Sequence, residues 1–212
     1  MTKGFLRART IGLAIAACAC FAVPAQAAHA SVLSSLDSLL PVVGSAGGCT
    51  PPALTTPFAS WGDQNDYALA PGQTTDHFNG DGWLLLTGAR IVTTTTADGS
   101  QGSALELPLG AVAVSPPMCV TDAFPTARAM TSGARGGGAL MSVLYAYRGL
   151  WGNPLSAGVL QSSGSAWAPS PVVDIHPGPA TGWQEARFVF VGTGLLNPLK
   201  VYDLYVDPRM KD

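Results

Sequence analysis

Charge is scarce in this sequence. Asp, Glu, Lys and Arg together make up 11% of 212 residues, and the formal net charge is −2. A chain so poor in cations lacks the electrostatic footprint that nucleic acids or anionic membranes require, so neither is an expected partner. Glutamate is scarcer still, with only Glu106 and Glu185. Histidine occurs three times, at His29, His77 and His176. No Gly-x-Ser-x-Gly elbow, no His-Glu-x-x-His pair and no Cys-x-x-Cys pair is present. Those absences remove the usual starting points for serine hydrolysis, zinc proteolysis and dithiol redox chemistry. Long apolar runs are missing as well. The longest, residues 11–23, is about 13 residues, too short to cross roughly 30 Å of hydrocarbon as a helix.

That short run has a specific context. Lys3, Arg7 and Arg9 precede it, and Ala25-Gln26-Ala27 follows it. A basic start, a short apolar core and a small-x-small site make residues 1–27 an expected secretory signal peptide. Cleavage after Ala27 or after Ala30 fits equally. Ile15-Ala16-Ala17-Cys18 also resembles a lipobox, whose processing would leave a lipid anchor through Cys18; a retained apolar anchor is the third option. Export places the protein outside the cell or at the cell surface. Losing residues 1–27 removes three of the 11 basic residues and none of the 13 acidic ones, so the charge moves from −2 to −5. No transmembrane segment is expected in the mature chain.

Export also frames the cysteines. Cys18 and Cys20 lie in the expected signal, which leaves Cys49 and Cys119. Two cysteines in an exported domain most simply pair with each other.

Residues 28–48 read as an entry segment. Within 31–40, apolar residues stand at Val32, Leu33, Leu36, Leu39 and Leu40, a helical spacing. Pro41 and the run 44–48 (Gly-Ser-Ala-Gly-Gly) then read as a linker. From residue 49 to 212 the signals are those of strands. The expected strands are 67–69, 83–95, 104–107, 127–132, 139–147, 155–160, 172–175, 185–191 and 200–206, cut by turns rich in Gly, Pro, Asn and Asp. Eight or nine short strands without helical periodicity between them predict an all-β jelly-roll sandwich with one disulfide. Simple alternation in the last strand puts Val201, Asp203, Tyr205 and Asp207 on one face. The glycine-rich stretch 133–138 joins two expected strands, so it reads as a turn rather than a phosphate loop.

Several segments occur in an ordered series: Pro57-Phe-Ala-Ser-Trp-Gly-Asp63, Tyr67-Ala-Leu-Ala-Pro-Gly72, Gly82-Trp-Leu-Leu-Leu-Thr-Gly-Ala89, Leu105-Glu-Leu-Pro108, Ser115-Pro-Pro-Met-Cys-Val120 and Tyr205-Val-Asp-Pro208. Over residues 49–209 the chain resembles a group of secreted actinobacterial proteins of about 200 residues. The resemblance implies a jelly roll similar to galactose-binding-like domains and carbohydrate-binding modules, and it implies no activity. The chain departs from that pattern at Tyr202-Asp203, where the group has two consecutive acidic residues, and over residues 73–79.

Two binding chemistries follow from the residues. Sugar-binding sandwiches stack apolar pyranose faces on Trp or Tyr and hold hydroxyls with polar side chains. Of the five tryptophans, Trp83 opens an apolar strand and is expected in the core. Trp61 is expected to be scaffold, and Trp167 and Trp183 flank strand starts. Trp151 lies in a glycine-punctuated loop beside Arg148 and Asn153, and those three form the candidate ligand platform; the alternative is an aromatic folded onto its own sheet. A structural calcium is the second possibility, with Asp63, Asp66, Asp203 and Asp207 as candidate ligands, because Ca²⁺ takes six to eight oxygens, several from carboxylates. No other cofactor is indicated. A glycosidase needs two converging carboxylates, and thirteen acidic residues can supply such a pair only if the fold brings two together. The reading is a non-catalytic exported sandwich that binds carbohydrate or a cell-wall polymer, against a surface interaction protein without a small ligand.

Overall fold

The computed structural model describes residues 49–121, 125–134, 137–147, 150–175, 181–195 and 197–208. The expected signal peptide, the entry segment 28–48 with its helical spacing, Arg148 and His176 lie outside the described residues.

Two antiparallel sheets face each other as a jelly-roll sandwich. The first contains β3 (Arg90–Thr95), β4 (Gln101–Leu107), β7 (Thr126–Ser132), β11 (Ala168–Pro169) and β14 (Leu199–Asp207), in the order β11-β7-β14-β4-β3. Short β1 (Ala68–Leu69) adds to β14, and β12 (Val173–Asp174) adds to β7. The second contains β2 (Leu84–Leu86), β5 (Val112–Val114), β8 (Gly138–Tyr147), β10 (Leu155–Gln161) and β13 (Gln184–Gly192), in the order β10-β8-β13-β5-β2. There β6 (Met118–Val120) pairs with the start of β13, and β9 (Leu150–Trp151) pairs with the end of β8. Eight of the nine expected strands are present, joined by short pieces that carry little propensity of their own.

The core lies between the sheets. Leu105, Leu107, Leu199 and Val201 of the first sheet meet Met141, Val143, Phe188 and Phe190 of the second, all buried in one apolar cluster. Alternation then sends Glu106 and Lys200 outward from the first sheet, where they stand opposite each other. Arg90, opposite Glu106 across β3 and β4, forms an ion pair with it.

Three expectations need correction. The run 83–95 is not one strand. Thr87 (φ +49°) and Gly88 (φ +95°) turn the chain between β2 and β3, which belong to different sheets. Thr87 Oγ1 donates to Gly110 O at 2.7 Å and fixes that corner. The last strand does not alternate simply. Tyr202 pairs with Met130 and Tyr205 with Arg128, so β14 carries an extra residue there. This bulge sets Tyr202 and Tyr205 on one face and breaks the expected common face of Asp203 and Asp207. Finally, residues 150–151 are paired to β8 rather than held in a free loop.

The expected disulfide is formed. Cys49 and Cys119 are bonded with Cα atoms 5.7 Å apart. Met118 and Val120 point into the core, so Cys119 between them faces outward from the second sheet. No helix among the described residues is long and apolar enough to cross a membrane.

Candidate functional site

The chain crosses from the disulfide to the outer face of the first sheet, and the best-built site lies there. Residues Ala59–Trp61 form a single 3-10 turn, ended by Gly62 in the left-handed conformation (φ +83°). Its anchor is Phe58, wholly buried against Tyr67 (5.3 Å, edge-on) and Tyr205 (5.6 Å, edge-on), with the Arg128 guanidinium 5.2 Å from its ring centre. The turn's other end is tied by Asp63. Its carboxylate accepts from Arg128 Nη1 at 2.6 Å, from the Tyr67 hydroxyl at 2.9 Å and from the Asn65 N–H at 3.0 Å. Arg128 Nε donates to Ser170 O at 2.7 Å, which holds the guanidinium plane. Burial alone would raise the Asp63 pKa, but the Asn65, Tyr67 and Arg128 hydrogen bonds and the Arg128 charge outweigh it and hold the carboxyl below its ordinary value. Burial, with the Asp63 hydrogen bond and charge, pushes the Tyr67 hydroxyl up to about 12.

Held on this turn, Trp61 is 51% exposed. Ser60, Gln64 and Asn65 flank it and are also exposed. A large aromatic fixed on rigid backbone, with hydroxyl and amide groups beside it, is the chemistry that stacks a sugar ring and holds its hydroxyls. The residue signal for this was weak: Trp61 precedes Gly-Asp, which reads as turn scaffold, and only the fold shows that the turn points its Trp outward.

The other tryptophans are more buried than Trp61. Trp83 donates from Nε1 to Pro71 O at 2.8 Å and stacks with Phe190. Trp167 donates to Thr95 O at 2.6 Å and meets Tyr202 edge-on at 4.5 Å. Trp183 is half-buried. Trp151 is only 8% exposed, and the Arg187 guanidinium lies 4.9 Å from its ring centre. It sits among Val114, Leu144 and Val189, folded onto its own sheet. Asn153, two residues on, is exposed. Trp151 therefore offers no open ring face for stacking.

The candidate calcium ligands are engaged elsewhere. Asp63 is bound to Arg128, and Asp203 (φ +49°, at the β14 bulge) accepts from the Asp76 N–H at 2.8 Å. Burial, together with the nearby Asp76 carboxylate, raises Asp203 to about 6 against that hydrogen bond. The approach of the Asp76 loop needs Gly102, where a Cβ would meet Asp76 O at 2.3 Å. Asp66 is half-buried, and Asp207 is buried opposite Thr126. Among the described residues no three His, Cys, Asp or Glu side chains gather to hold a metal. The two glutamates face away from each other. Glu106 points outward from the first sheet, and Glu185, opposite Cys119, outward from the second. His77 is exposed beside Thr74 and Ser103.

The architecture defines the class: an all-β, disulfide-linked jelly-roll sandwich with an exposed aromatic turn. No family model matches the chain, and no curated protein matches it. Solved structures of similar fold include the xylanase 10B CBM22-1–GH10 modules of Clostridium thermocellum with xylohexaose: 11% identity, TM-score 0.44, 62% of this chain and 27% of that one. The chain thus spans about a quarter of that two-module protein. A family 6 carbohydrate-binding module of Clostridium stercorarium with cellobiose gives 15% identity, TM-score 0.39, 60% of this chain and 87% of that one. A β-1,3-glucan-binding family 6 module of Bacillus halodurans gives 14%, 0.39, 60% and 95%.

Proposed function

We propose that this protein is an exported, non-catalytic β-sandwich that binds a carbohydrate of the cell envelope or its surroundings through the Trp61 turn. The observation that carries the reading is the 51% exposure of Trp61 on a turn locked by Phe58 and by the Asp63–Arg128 ion pair. Leaving a large aromatic in water forgoes about 1.5–3 kcal/mol of burial, and locking its backbone removes the ordering cost that a ligand would otherwise meet. Ser60, Gln64 and Asn65 supply the polar rim. The disulfide supports an extracellular or cell-surface location.

The test is a glycan array and pull-down on wall polysaccharides with the mature chain and Trp61→Ala. Stacking of this kind is worth about 1–2 kcal/mol, so the substitution is expected to weaken binding by roughly five- to thirty-fold at unchanged melting temperature. Binding that survives Trp61→Ala unchanged overturns the site, and no binding to any glycan overturns the function.

A second reading, a surface interaction protein without a small ligand, is favoured by one observation: the candidate platform Trp151 is buried rather than open. Under that reading, cross-linking on intact cells captures a protein partner and the array stays blank.

A further inference from the structure

One row on the outer face of the second sheet is apolar from edge to edge. In that row Val159 of β10, Leu140 of β8, Val191 of β13, Val112 of β5 and Leu86 of β2 stand directly opposite one another in sequence across five strands. The next row runs Ser156, Ser142, Val189, Val114 and Leu84 by the same pairings. Such a face is what a sheet shows to a second layer, not to water.

Its centre is covered. Val112, Val114 and Val189 are 0% exposed. Side chains on one sheet face flank each other at about 4.5–5.5 Å across strands, which shields their sides and leaves their tips open. Complete burial therefore requires atoms stacked above, and Trp151, opposite Ala146, supplies them only toward the β9 end of the face, away from the row of Val112 and Val191. Every described apolar side chain in this layer belongs to the sheet's own strands or to β9 at its end. The first sheet cannot serve, because it packs on the opposite face.

The disulfide shows where a cover starts. Cys119 stands opposite Glu185 and faces outward, so Cys49 is fixed on this same face. Val189 and Val191 lie four and six residues further along β13 than Glu185, about 14 and 20 Å away. Residues 41–48 can extend over roughly 26 Å, enough to reach both rows. Ahead of them, residues 31–40 place Val32, Leu33, Leu36, Leu39 and Leu40 at helical spacing, with Asp37 the only charge in 28–48. As a helix those ten residues measure about 15 Å, against about 19 Å across the five strands.

We propose that residues 28–48 dock on the outer face of the second sheet as an intramolecular cover, set against Val112, Val189 and Val191 and tethered by the Cys49–Cys119 disulfide. The docking is independent of the carbohydrate reading, since Trp61 lies on the first sheet's side.

The experiment uses the mature chain, residues 28–212, with methyl-labelled Leu and Val. Cross-peaks from Leu36, Leu39 or Leu40 methyls to Val112, Val189 or Val191 are expected. Their absence overturns the proposal, and so does their appearance only between differently labelled copies in a mixed sample, which would make a second molecule the occupant. Leu36→Ser with Leu39→Ser is expected to raise fluorescence of an apolar dye at least about three-fold with an unchanged far-ultraviolet spectrum, because the face opens while the inner core stays packed. An unchanged dye signal in the folded variant overturns the proposal too.

Discussion

At the scale of single residues, two tryptophans of similar sequence context take opposite roles. Trp61 and Trp151 both stand directly before a glycine. Trp151 is buried on the second sheet under Arg187, so Trp151→Ala removes a packed ring, strands an already desolvated guanidinium and costs about 3–5 kcal/mol. Urea unfolding at pH 7 measures this, and a loss under 1 kcal/mol contradicts the packing. Trp61→Ala is expected to change stability by no more than about 0.5 kcal/mol, as exposed substitutions do. Asp203 gives a pH signature. Its folded pKa of about 6 lies above the ordinary 3.8, with burial as the main cause. The folded state thus holds this proton more tightly than the unfolded chain. Stability from this group is full below about pH 4, declines as pH rises toward 6 and stays reduced above, by about 2–3 kcal/mol at most. Asp203→Asn keeps the acceptor for the Asp76 N–H and tolerates φ +49°. It is expected to stabilise the protein at pH 7 and to flatten the decline between pH 4 and 6; melting curves across that range that overlay wild type count against the assignment.

At the scale of elements, the site depends on a turn that no propensity scale would single out. Asp63 and Arg128 come from segments 65 residues apart in sequence and meet only because residues 55–67 lie over the face carrying Tyr205. Asp63→Asn would weaken three hydrogen bonds at once, with an expected loss of about 2–3 kcal/mol. Because Asp63 titrates below its ordinary value, that contribution is present at neutral pH and fades as pH falls through the carboxylate range, opposite in sign to Asp203. Glycan affinity is expected to fall as well, although Asp63 need not touch the ligand, because the Trp61 turn loses its tether; titration calorimetry of folded Asp63→Asn measures it. Long elements were readable from residue pattern: Gln184–Gly192 and Leu199–Asp207 carry the β-branched and aromatic runs that strands favour. What escaped was decided by partners far away in sequence. Leu84–Leu86 and Arg90–Thr95 read as one strand because the Thr87-Gly88 corner between them is short and its neighbours are apolar. Val112–Val114 was hidden between a turn and a proline pair. The β14 bulge, which moves Asp203 out of line with Asp207, has no composition of its own. The burial of Trp151 escaped for the same reason: the loop's glycines suggested openness, while Leu150–Trp151 folds back on β8.

At the scale of the whole molecule, one covalent link ties the chain at Cys49 to β6 of the second sheet. The loop closed by Cys49 and Cys119 spans 70 residues and contains β1, β3 and β4 of the first sheet with β2 and β5 of the second. Opening it releases in the unfolded chain a segment that supplies strands to both sheets. The chain-entropy relation puts the entropy regained at about 4 kcal/mol for a loop of this size. For a domain of about 160 residues each kcal/mol moves the melting point by roughly 2–4 °C, so the pair Cys49→Ser with Cys119→Ser is expected to melt roughly 8–16 °C lower. The strands of the two sheets share one core, with Leu105 and Val201 packed in the same cluster as Phe188 and Phe190. The variant should therefore still melt in a single transition, with tryptophan fluorescence and far-ultraviolet dichroism coincident. Two separated transitions would mean that the sheets do not share one cooperative core, and a shift under 2 °C would mean that the link constrains little of the unfolded chain.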